Sequence, residues 1–351
     1  MRSSLKHILL TALVMLVTCT SCRKELCYDH FPAVDLGFTW EQEWERDYGM
    51  HHTAGWDPVL YRYEYDELRP PVPDWVKIVM YFEDGRITEG FASPEGKKFE
   101  VSADEKCSIL FYNGDTEYII LEDVASLNDA RATATTRSRG GSALQEMREM
   151  YNSSRTTNSP DVIFSAYAEE VEGVKNHEVR SLAMKMQPLV FTYLISFEFE
   201  CGIEYVYDAR GALGGMAEGV YLRTGVTTDQ PSIILFDCEI HPDACVSQVR
   251  SFGIPAFPDS YFGRTQHDSD NRFTLNLEVR LKNGKTKEFN FDVTDQIKNQ
   301  PRGGVIRVDG IKIEGEVNPP PSEAGFVVGV DDWGDDVIEV NLPLGPSTDN
   351  K

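Results

Sequence analysis

FTYLISFEFEC, residues 191–201, decides the fold. Every odd position is apolar or aromatic: Phe191, Tyr193, Ile195, Phe197, Phe199 and Cys201. Thr192, Ser196, Glu198 and Glu200 lie between them. A period of two over eleven residues is the mark of a strand with one face in a core and one in water. On this reading Cys201 is a small buried hydrophobe. The same pattern recurs downstream in RFTLNLEVRLKNGKTKEFNFDV, residues 272–293. Phe273, Leu275, Leu277, Val279 and Leu281 share a face, an Asn283-Gly284 turn follows, and Phe289, Phe291 and Val293 return. Two further strands are expected around GVIRVDGIKIEG (304–315) and DVIEVNLPL (336–344).

The first half carries the same signals. VDLGFTW (34–40) alternates, with Val34, Leu36, Phe38 and Trp40 on one face. VKIVMYFEDGRITEGF (76–91) is a strand, an Asp84-Gly85 turn and a returning strand. KKFEVSADEKCSILFYNGDTEYIIL (97–121) repeats strand and turn, with turns at Ala103-Asp104 and Asn113-Gly114. One helix interrupts the strands. GGSALQEMREMY offers a capping box at Ser142 and Gln145, with Leu144, Met147 and Tyr151 on one face. Ser/Thr-rich loops flank it, which predicts a surface excursion on the rim of the first domain. Many short strands separated by turns, in two halves, predict an all-β chain of two β-sandwich domains with one short surface helix. The polar EGVKNHE stretch (172–178) divides them. The expected organisation is a leader over 1–21, domains over 22–175 and 176–345, and a tail over 346–351.

The leader has two cations, Arg2 and Lys6, and then a ten-residue apolar run, Ile8 to Val17. A bilayer core needs about 20 residues of helix, so this run is a signal-peptide core and not a span. Thr20 and Ser21 precede Cys22, and Arg23, Lys24 and Glu25 follow. That is a lipobox pattern, and Cys22 is the expected lipidation site. Cys19 lies too close to the apolar core and Cys27 too far from it; an ordinary cleaved signal is the alternative. Acyl chains, palmitate among them, would hold the protein on a leaflet. Lys24 next but one to the cysteine favours the outer membrane, and CRKE weakly resembles a surface-export signal.

The net charge is −23, and −25 once a leader with two cations and no acid is removed. Such a surface repels phosphate backbones, so no nucleic-acid partner is expected. The remaining cysteines show no metal spacing. Cys238 and Cys245 are a possible disulfide in an oxidising compartment. The chain has no Gly-x-Ser-x-Gly, no phosphate-binding glycine loop and no His-Glu-x-x-His, so neither an enzyme nor a cofactor is expected. His51 and His52 are adjacent and point to opposite sides of an extended chain. Asp331, Asp332, Asp335 and Asp336 lack the ligand spacing of a calcium loop. Trp40, Trp56, Trp75 and Trp333 are candidate sugar platforms, although tryptophan on a strand is usually core.

Three stretches carry a family resemblance: LCYDHFPAVDLGFTW (26–40), QPLVFTYLISFEFECGIEYVYDARGALGGMAEGVYL (187–222) and FDVTDQIKNQPRGGVIRVDGIKI (291–313) with a later DDW. The run Gly211-Ala-Leu-Gly-Gly-Met-Ala217 is the most specific part. The sequence resembles the fimbrillin-associated lipoproteins, a Bacteroidia-type fimbrial family some of whose members are catalogued only as domains of unknown function. The resemblance implies two transthyretin-like sandwiches, no enzymatic activity, a place at the cell surface and other fimbrial subunits as partners. In that family stalk subunits lose their first strand after cleavage at an arginine, and a neighbour's strand fills the groove. Arg46 stands at such a place, but an anchor subunit keeps its first strand and its lipid. Cys27, Tyr28 and His30 resemble the anchor branch. The strand candidates for pairing with a partner are Val34, Leu36, Phe38 and Trp40, and Ile338, Val340 and Leu342, with the accepting edge expected in the second domain. A surface glycan-binding lipoprotein serving polysaccharide uptake is the alternative, and a host protein or glycan is a possible further partner.

Overall fold

A computed structural model of the chain describes residues 33–46, 55–101, 105–152, 155–173, 179–258 and 271–314. The strands begin with β1 (Ala33–Trp40). Helix α1 (Pro58–Tyr61) follows, then β2 (Val76–Phe82), β3 (Ile87–Ala92), β4 (Gly96–Glu100), β5 (Lys106–Tyr112), β6 (Ile119–Glu122) and β7 (Arg131–Ala134). After α2 (Ser142–Met150) come β8 (Thr156–Thr157), β9 (Phe164–Glu172), β10 (Val179–Pro188), β11 (Phe191–Cys201), β12 (Val206–Ala217) and β13 (Gly219–Tyr221). β14 (Pro231–Asp237), β15 (Glu239–Ile240), β16 (Ala244–Ser251), β17 (Thr274–Leu281), β18 (Thr286–Asp292), α3 (Thr294–Asn299) and β19 (Gly304–Lys312) complete the described chain.

These strands build two β-sandwiches with a small sheet between them. The first is one sheet folded over, in the order β3-β2-β5-β9-β10-β1-β4. β9 and β10 pair only where Phe164 and Ser165 meet Pro188 and Gln187, and beyond that they diverge. The two leaves then face one another. Phe38 of β1 meets the edge of Phe111 of β5 at 5.6 Å, and Trp40 meets Phe164 at 5.0 Å. Such edge-to-face pairs each add about 0.5–1.5 kcal/mol beyond their area burial.

The second sandwich stacks the leaf β15-β16-β11-β19 on the leaf β18-β17-β12-β14-β8. Its core holds Tyr193, Ile195 and Phe197 from β11 against Leu275, Leu277 and Val279 from β17, all fully buried. The hairpin turns fall where the sequence places them, with Gly85 and Gly284 at φ 85° and 84°. The small sheet β13-β7-β6 packs behind β2 and β5 against Val79, Leu110 and Tyr112. Leu189, Val190 and Phe252 join the same cluster, which links the sandwiches.

Several local expectations are corrected. The EGVKNHE stretch falls between β9 and β10, within the first sheet. The chain instead passes to the second sandwich at Leu189-Val190, two buried apolar residues that read as more strand. β8, from before the expected boundary, pairs with β14 in the second sandwich. β4 and β5 do not form a hairpin: β4 pairs with β1, whereas β5 lies between β2 and β9. Cys201 is exposed, because register shifts against β19 break the alternation at Phe199 and Cys201. Thr192 and Leu194, on the face expected to meet water, are buried under residues 41–46 and 55–69.

Helix α2 also departs from expectation. Its cap residue is Gly141, and the Ser142 hydroxyl donates to Glu288 Oε2 at 2.9 Å and makes no capping box. Leu144 and Met147 pack on Ala212, Ile233 and Leu235, so the helix lies on the second sandwich and not on the rim of the first. The glycine run makes this seat. A Cβ on Gly214 would stand 2.4 Å from the Tyr151 ring and 2.6 Å from Met147 Cε.

Candidate interaction edges

Among the described residues no three His, Cys, Asp or Glu side chains are grouped to hold a metal ion. No described helix is long and apolar enough to cross a membrane. At the sheet edges of a sandwich, backbone N–H and C=O groups lack a neighbouring strand and can take one from another chain.

β3 is such an edge among the described strands, where it pairs with β2 alone. The Phe82 N–H donates to Arg86 O at 3.0 Å, which makes these two residues a hydrogen-bonded pair. Antiparallel ladders alternate, so Thr88, Gly90 and Ala92 bond to β2. The N–H and C=O groups of Ile87, Glu89 and Phe91 therefore face away from the sheet. The same residues carry exposed side chains, with Ile87 at 40% and Phe91 at 55%. Glu89 is neutralised by Lys77 at 2.8 Å, and Trp75 meets Phe91 edge-on at 5.2 Å. The result is a six-residue edge with two exposed apolar side chains, Ile87 and Phe91, on either side of a Glu89 paired with Lys77. At the opposite end of the sheet β4 carries Lys97 and Lys98, residues that discourage strand pairing. β18 is flanked by Lys285 and carries Lys287, and its Glu288 accepts from Ser142.

The first strand is not an edge. β1 runs parallel to β10 on one side and antiparallel to β4 on the other. Val34 and Leu36 are buried, and Phe38 and Trp40 are half-buried against the first core. Cys22, His51, His52, Asp331, Asp332, Trp333, Asp335, Asp336, Ile338, Val340 and Leu342 lie outside the described residues.

Cys238 and Cys245 are free thiols in this structure. Burial raises both, Cys245 to about 12 and Cys238 well above its ordinary value, so neither is a ready thiolate. The Arg46 N–H donates to Arg302 O at 2.9 Å, and its guanidinium pairs with Glu41 at 3.0 Å.

Trp56 belongs to an aromatic cluster. It stacks on Tyr61 at 4.3 Å, meets Trp44 at 5.6 Å and donates through Nε1 to Tyr63 O at 2.9 Å. With Leu68 and Tyr65 the cluster covers Leu194, so residues 41–46 and 55–69 form a strap across the outer face of β11. Glu45 is buried in the strap and accepts from the Tyr65 hydroxyl; burial raises its carboxyl above the ordinary range. The alternating aromatics of YRYEYDEL (61–68) were the available sign of this strap.

Residues 63–237 match the family model described as a domain of unknown function, DUF5119. No curated protein matches the chain. Among solved structures, a Bacteroides ovatus protein described as an adhesin is 19% identical, with a TM-score of 0.54 over 81% of this chain and 94% of that one. A Bacteroides thetaiotaomicron protein described as polysaccharide-binding is 10% identical, with a TM-score of 0.44 over 80% and 92%. A fimbrial anchor protein from Porphyromonas gingivalis is 8% identical, with a TM-score of 0.43 over 79% and 90%. At 19% identity the likeness to the Bacteroides ovatus protein is one of fold.

Proposed function

We propose that this chain, which carries a DUF5119 region and is similar in fold to a Bacteroides adhesin, is a lipid-anchored fimbrial accessory or anchor subunit of the bacterial surface. Lipid on Cys22 would hold it to the outer membrane, and strand pairing with another fimbrial subunit would be its work. One observation carries the reading. β1 is hydrogen-bonded on both sides within its own sheet, while β3 offers an edge on the same sandwich that no second described strand covers. A subunit at the base of a fibre needs this combination: it keeps its own first strand and presents an edge to the next subunit. Main-chain bonds would supply affinity there, and the Ile87 and Phe91 positions would select a partner strand with apolar residues four apart. The accepting edge thus moves from the second domain, where the sequence placed it, to the first. The packing of Trp56 between Tyr61 and Trp44 leaves its ring to the cluster, which disfavours a sugar platform.

Capture of a neighbouring fimbrial subunit from the native cell tests the reading. Wild type should retain that subunit, Glu89→Pro should lose it, and Cys22→Ser should leave the membrane fraction. Binding to a glycan array that Trp56→Ala abolishes, with no fimbrial subunit captured, would overturn it.

A further inference from the structure

β19 is the last strand of its leaf, parallel to β11, and no described strand lies on its other side. The outward N–H and C=O groups of its alternate residues need partners from elsewhere. Two consecutive outward residues have them. The Val305 N–H donates to Gln300 Oε1 at 2.7 Å, and Gln300 Nε2 donates to Val305 O at 2.9 Å. The Arg307 N–H donates to Gln296 Oε1 at 2.9 Å, and Gln296 Nε2 donates to Arg307 O at 2.9 Å. Each carboxamide meets both backbone groups of one residue, as an opposed residue of an antiparallel strand would.

The spacing explains how α3 does this. Four residues of helix rise about 6.0 Å, and two residues of strand about 6.6 Å. Gln296 in the helix and Gln300 just after it therefore reach two alternate residues of β19. Three further contacts fix the arrangement. Ile297, fully buried, anchors α3 in the second core. The Tyr193 hydroxyl donates to Gln300 O at 2.8 Å, and Gln300 Nε2 also donates to Gln296 O at 3.1 Å. Gly304, at φ 155°, leaves room for the amide, because a Cβ there would lie 2.1 Å from Gln300 Oε1.

We propose that α3 is a surrogate strand, and that Gln296 and Gln300 seal the β19 edge against strand addition by another chain, a second copy of this protein included. An incoming strand at this place must first break four hydrogen bonds that it can only replace, so it gains nothing from backbone pairing. The proposal stands whether or not the chain works in a fimbria.

Residue-resolved hydrogen exchange on the full chain tests it. The Val305 and Arg307 amides should be protected in wild type although they lie on an edge. In the Gln296→Ala/Gln300→Ala variant both should exchange about tenfold faster, the ratio that losing one net hydrogen bond sets. Ile306 and Val308, bonded to β11, should keep their protection and show that the sandwich is intact. Gln296→Glu retains an acceptor and should keep Arg307 protected. The double alanine variant should also self-associate in sedimentation at concentrations where wild type is monomeric. Wild-type amides that exchange freely, unchanged rates in the double variant, or a double variant that stays as monomeric as wild type would each overturn the proposal.

Discussion

β3 and β19 are both outermost strands, yet they differ in what meets their outward backbone. On β3 the outward groups belong to Ile87, Glu89 and Phe91, and the side chains of these residues stand in solvent. On β19 they belong to Val305 and Arg307, and two glutamine amides already hold them. Position in a sheet therefore does not decide whether an edge is open; the chemistry beside it does. Among the described residues the first sandwich leaves the β3 edge uncovered, whereas the second uses a helix to close the β19 edge.

The difference should be largest in stability. Ile297→Ala removes the core anchor of the β19 cover and should cost about 2–5 kcal/mol in denaturant unfolding. Phe91→Ser on the open edge should cost only about 0.5–1.5 kcal/mol, the edge-on contact with Trp75 being what it loses. Equal costs at the two sites would break the contrast. Gly304→Ala comes next: the methyl group overlaps the Gln300 amide and φ is positive, so a loss of about 1–3 kcal/mol is expected from the same measurement. A neutral result would mean that the amide is not held where the structure places it.

Proline sharpens the comparison at smaller amplitude. The Glu89 N–H faces away from β2, so Glu89→Pro should cost about 1 kcal/mol or less while removing partner binding. Arg307→Pro should cost more, since that N–H is bonded to Gln296. The smallest effect concerns the strap. Burial raises the Glu45 carboxyl, so the protonated form is the one the fold favours. Its contribution is full below the ordinary carboxylate range and is lost as pH rises through the raised value. Glu45→Gln should therefore raise the melting temperature at neutral pH and flatten that slope.

What was legible in the sequence was local. The Asp84-Gly85 and Asn283-Gly284 turns, and the alternation of Tyr193, Ile195 and Phe197, specify hairpins and a sandwich core through near neighbours. What was hidden was pairing between distant segments. Nothing near Val34 shows that β1 lies parallel to β10, some 145 residues away in register. Leu189-Val190 crosses between sandwiches looking like continued strand, and the polar EGVKNHE stretch looks like a linker but joins two strands of one sheet. The β19 cover was hidden for a related reason. Gln296 and Gln300 read as the polar side of a short helix, and only Gly303-Gly304 hinted that something closes on the backbone there.

Photo-crosslinking in the native cell tests the central claim most directly, with the crosslinker placed in turn at Ile87, Phe91 and Asp309. The account predicts adducts between Ile87 or Phe91 and a neighbouring fimbrial subunit, and none from Asp309 on β19. Adducts confined to Asp309, or none at Ile87 and Phe91 while the fimbrial subunit still co-purifies, would contradict it.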